Sequence, residues 1–113
     1  MKIVTDKIKK QELKEMAEKM FGNLVKVVVD IEKGVMAIDG ELHADEEGLL
    51  LENGSRQENL WGINIYPDLE GDDKIEFDSM INVRPRQNNM SRGIEDDKIR
   101  AKILEIVNRL IEK

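Results

Sequence analysis

Apolar and polar residues alternate without a slip across residues 75–84. Ile75, Phe77, Ser79, Ile81 and Val83 fall on one side, and Glu76, Asp78, Met80, Asn82 and Arg84 on the other. Side chains of a strand project to opposite faces with period two. The pattern therefore predicts one long strand with a greasy face, stopped by Pro85, which has no N–H to give a ladder. Residues 24–30 (LVKVVVD) are nearly all apolar and β-branched, which predicts an interior strand. Ile31-Glu32-Lys33-Gly34 turns the chain, with Gly34 supplying positive φ, and residues 35–38 return as the hairpin partner. In a further strand, Trp61, Ile63 and Ile65 alternate with Asn64 and Tyr66. Keeping apolar opposite apolar sets Ile65 against Ile75 and Ile63 against Phe77.

Helical spacing takes over elsewhere. Leu13, Met16, Ala17, Met20 and Phe21 recur at i, i+3, i+4, i+7 and i+8, and Gly22 supplies the left-handed residue that ends such a helix. Ile8 is placed to staple onto Leu13. Near the other end, Ile99, Ile103, Ile106, Val107, Leu110 and Ile111 form a second stripe, with Asp96 and Asp97 in the first turn and Arg109 and Lys113 in the last. A middle helix opens on Asp45, Glu46 and Glu47 and closes at Asn53-Gly54; Ala44, Gly48 and Leu51 would share its packing side. Ser55 with Glu58 fits a capping box leading into Trp61. With residues 1–5 as a first strand, the order is β-α-ββ-α-ββ-α. That defines a single α+β domain over 1–113, with a largely antiparallel sheet and the long helices on its greasy face.

Composition narrows the function classes. A chain of 113 residues makes one core, and the absence of cysteine excludes disulfides, Cys-zinc sites and thiol nucleophiles. No stretch has the length of a signal peptide's apolar region or of a membrane span, so a cytoplasmic protein is expected. The abundance of Lys, Glu and Ile is a bias shared with thermophile proteins. A formal net charge of −6 argues against broad nucleic-acid binding. Against that background, residues 79–94 hold Arg84, Arg86 and Arg92 and no acid.

The candidate chemistry follows from that inversion of sign. Arg84 and Arg86 have the planar fork that grips phosphate or carboxylate, and Asn82, Gln87 and Asn88 add donors. His43 is the only histidine, and it stands two residues before Asp45. Together these two could act as general acid and base or hold a hard divalent ion, although neither a metal nor a cofactor is specified by the residues. The plainer readings stand beside these. His43 packs a junction, the arginines form salt bridges, the asparagines make turns, and Trp61 and Phe77 are core. Two functions of different class result. The first is binding or hydrolysis of a small anionic ligand, a phosphodiester, nucleotide or RNA, with an endoribonuclease as its sharpest form. The second is a non-catalytic protein-interaction module that forms a homodimer or larger homo-oligomer.

Two strings, GELHADEEGLLLENGSRQENLWGINIYP and FDSMINVRPRQNNMSRGIEDDKIR, resemble a family of small bacterial and archaeal proteins catalogued as a domain of unknown function. The likeness lies in residues 40–45, in Gly54, Ser55, Gln57, Trp61 and Gly62, and in Ile81, Asn82, Arg84, Pro85, Gln87 and Asn88. Asp97 departs from it, standing where the family pattern implies a proline. The resemblance implies no activity, cofactor or partner.

Overall fold

The structure is a computed structural model and describes residues 1–112. Its elements are β1 (Lys2–Val4), β2 (Ile8–Lys9), α1 (Lys10–Met20), β3 (Val25–Asp30), β4 (Val35–Ile38), α2 (His43–Glu52), β5 (Leu60–Ile65), β6 (Ile75–Glu76), α3 (Asp97–Leu110) and β7 (Ile111–Glu112). Five strands form one antiparallel sheet in the order β1-β4-β3-β5-β6. The apolar β3 lies at its centre, as a run of β-branched residues with two covered faces requires. Gly34 makes the β3–β4 turn at φ 68. The domain is α+β, as the pattern predicts.

α1 and α3 cover one face. Leu13 and Ala17 from α1 and Ile103, Ile106, Val107 and Leu110 from α3 pack on Val25, Val27, Val29, Met36, Ile38, Trp61, Ile63 and Ile65. Asp96 caps α3 by accepting from the Lys98 amide at 2.8 Å. Ile8 stands just before Lys9, the N-cap of α1, and is buried in the same core cluster as Leu13, as a staple requires. It also enters a small parallel pairing of β2 with β7, opposite Ile111.

α2 packs on the opposite face, over Val28, Ala37 and Leu60. Its inward side is His43, Glu46 and Leu50, while Ala44 and Leu51 are exposed. The expected packing side of Ala44, Gly48 and Leu51 is thus corrected by a rotation of the helix. An acid that hydropathy places in solvent lies inside instead, because its carboxyl accepts from the Gly40 amide. Ser55 is not a cap either. It donates to Asp30 at 2.6 Å, and the short 3₁₀ turn Gln57–Asn59 begins after Arg56 with no side-chain cap.

The largest correction concerns residues 75–84. Ile65 does face Ile75, but the ladder holds only Ile75–Glu76; Phe77 is not paired with Ile63. Two 3₁₀ turns follow, Met80–Asn82 and Pro85–Gln87. The alternation is real, yet side chains displace the backbone from the ladder. The Asn82 amide takes the place of a strand residue beside Gly62: Oδ1 accepts from the Gly62 N–H at 2.8 Å, and Nδ2 donates to the Gly62 carbonyl at 2.9 Å. Short polar side chains compete with secondary structure in this way.

Candidate functional site

The segment that carries the three arginines is irregular but heavily tied. Asn82 Nδ2 also donates to the Arg92 carbonyl at 3.0 Å. Asn89 Nδ2 donates to the carbonyls of Asn82 and Gly93 at 2.7 and 2.8 Å, and its Oδ1 accepts from the Glu95 amide. The Arg84 backbone bridges to Asn89, closing a tight loop over Pro85–Gln87 in which Asn88 takes the left-handed conformation.

Arg84 is the hub. Its Nε donates to the Ile81 carbonyl at 2.9 Å, and Nη1 donates to the Gln57 carbonyl at 2.7 Å and to Gln87 Oε1 at 2.9 Å. Nη2 donates to the Leu60 carbonyl. The guanidinium lies 4.4 Å from the centroid of the Trp61 ring, a cation–π arrangement. Burial disfavours its charge, and Glu47 of α2 is the carboxylate that offsets this. Gln87 in turn donates to the Glu58 carbonyl. Asn82, Arg84 and Gln87 therefore hold the outer rail of β5 and the turn before it. Arg86 is exposed and Asn88 faces solvent.

His43 sits elsewhere on the same face. It is the first residue of α2, buried, with Nε2 donating to the Ile63 carbonyl at 2.7 Å. That bond places the proton on Nε2 and leaves Nδ1 as the basic atom. Burial lowers its pKa, and the charges that act on it are Lys26, Asp78 and Arg92. Asp78 is itself paired with Arg92 at 2.7 Å. Asp45 is exposed and makes no side-chain hydrogen bond to His43. The hydrogen bonds thus do not join His43 and Asp45 to Arg84 and Arg86. Among the described residues no group of three or more His, Asp or Glu side chains is arranged for a metal ion.

Two polar residues here were not legible as special in the sequence. Glu46 is fully buried, Oε2 accepts from Gly40 N at 2.9 Å, and Oε1 has no partner. Burial pushes its carboxyl up to about 9. Asn64 is also buried, with Nδ2 donating to Glu76 and Oδ1 unpartnered. Gly62 did leave a signal, since glycine inside a strand marks a close approach. A Cβ there would lie 2.5 Å from that of Ser79.

The geometry defines a small antiparallel α+β domain whose last long strand is sealed by side chains from an arginine- and asparagine-rich loop. Residues 2–110 match the model of a family described as "Protein of unknown function (DUF5674)", and the chain belongs to that family. No curated protein and no solved structure matches it. No helix among the described residues is long and apolar enough to cross a membrane.

Proposed function

We propose that the chain is a non-catalytic protein-interaction module whose contact surface is the tied loop of residues 79–92 and whose partner is a second copy of itself. One observation carries this reading. Asn82, Arg84, Gln87 and Asn89 turn inward to the backbone, while Met80, Val83 and Met90 stand outside at 65%, 38% and 67% exposure. A loop held in one shape with apolar side chains outward has already met the ordering cost of binding. Methionine and arginine are also the residues enriched at contact surfaces. In a two-fold contact the same patch meets itself, so Arg86 of each copy can pair with Glu58 at the rim of the other. Sedimentation at high micromolar concentration should give a species of twice 13.0 kDa. The double variant Met80→Glu, Met90→Glu should give 13.0 kDa with an unchanged melting temperature. A wild-type chain that sediments at 13.0 kDa overturns the proposal.

A second reading keeps an anionic ligand, a phosphate ester or nucleotide, at the start of α2. No side chain caps that helix, and Lys26 and Arg92 act on the adjacent His43 ring. Inorganic phosphate should then shift the His43 ring resonances saturably. Resonances unmoved by phosphate remove this reading.

A further inference from the structure

A cavity of about 520 Å³ lies at the other end of β5, on the face covered by α1 and α3. Ile111 and Leu69, the latter 46% exposed on the loop that leads to β6, offer its accessible apolar surface, with Leu13 and Ile65 closed in the core beneath. That volume is within the range of sites for small organic ligands.

The two lysines at the rim differ in how their charge is met. Lys10 Nζ lies 3.6 Å from Glu70, whose side chain is 85% exposed, so the carboxylate stands in water and the ammonium closer in. Lys74 Nζ donates to the neutral Asn108 Oδ1 at 2.6 Å and has no carboxylate within ion-pair distance among the described residues. Asp72 is also at the rim. An apolar floor beneath an ammonium bonded to a neutral amide suits a ligand with a hydrocarbon body and one anionic head. We infer that this cavity binds a small amphipathic carboxylate, its chain on Ile111 and Leu69 and its head on Lys74. The site is separate from the 79–92 surface, so either proposal can fail alone.

The probe is octanoate, followed through the backbone amide resonances of the whole chain. Saturable shifts confined to residues 65–74, Leu13 and Ile111 are expected. Octylammonium, with the same chain and the opposite charge, should bind at least about tenfold more weakly, the factor that one charge-assisted hydrogen bond supplies. Lys74→Gln should weaken octanoate by a similar factor and not weaken octylammonium, whose head the lysine repels. Leu69→Asp changes an exposed residue, so the fold should hold while octanoate binding is lost. Equal binding of octanoate and octylammonium, shifts spread over the chain without saturation, or full binding by Lys74→Gln would overturn the inference.

Discussion

The two faces of the sheet are built by different means. On the face under α1 and α3 the buried residues are apolar, and closeness of fit and area removed from water hold them. On the face under α2 the apolar cluster is only Val28, Ala37, Leu50 and Leu60. There Asp30, Glu46, Asn64, Ser79 and Asn82 are buried as well. The first face can be trimmed a little at a time. The second depends on particular atoms meeting particular partners, and a buried polar group that loses its partner keeps its full desolvation cost.

Truncating the second face should give the largest effect. Asn82→Ala strands the Gly62 amide and carbonyl together and frees the loop from the Arg92 carbonyl. A loss of about 4 kcal/mol in urea melts is expected, with the β5 edge the first region to gain amide exchange. A loss below about 1 kcal/mol would mean that water replaces the side chain easily, and the contrast between the faces would be weaker than drawn.

Glu46 sharpens the contrast through pH. Its carboxyl is raised from 4.5 to about 9 by burial, so between those values the folded chain keeps a proton that the unfolded chain releases. Its contribution is fully present below 4.5 and is lost as pH rises toward about 9. At pH 7 the cost is on the order of 3 kcal/mol. Glu46→Gln should be more stable than the parent by that order at pH 7 and no different near pH 4. Superimposed stability curves at both pH values would refute this. His43 acts in the other direction: with its pKa lowered by burial, it should cost stability as pH falls below 6.5, and its ring should titrate under that value by NMR.

On the first face, Ile106→Val should cost only about 1 kcal/mol, because one methylene is removed and the cavity left is small. Smallest of all is Arg86→Ala. The residue is exposed, so its stability change should lie within about 0.5 kcal/mol, against about 2 kcal/mol or more for Arg84→Ala. Equal losses from the two arginines would contradict the hub role of Arg84.

Where hydropathy alone decides structure, the chain was legible. The run 24–30, the Gly34 turn, the stripe of α3 and the Ile65–Ile75 register all follow from which residues avoid water. Residues 77–84 misled because Ser79 and Asn82 fall on strand period while their side chains replace the ladder. α2 was turned the wrong way because nothing in HADEEG marks Glu46, among its acidic neighbours, as the one that goes inside. Of the candidate site, the sequence displays Arg84 and Asn82 as donor-rich residues but not what they touch. Apart from Gln87, their partners are the backbone carbonyls of residues 57, 60, 62, 81 and 92 and the amide of Gly62, which a sequence does not display.

The Asn82 amide beside Gly62 and the Arg84 fork beside Leu60 also bear on how the protein behaves at high concentration. An uncovered sheet margin is a template on which another chain can add, and long flat margins seed fibrous aggregates. Here β6 takes the margin at Asn64 and Ile65, and two side chains fill it at Leu60 and Gly62. A side-chain amide can pair with one residue of a strand but has no backbone beyond it to continue the ladder, so growth strand upon strand stops there. Release of Asn82 would expose this margin for stacking, and turbidity on gentle warming would rise before the helices melt.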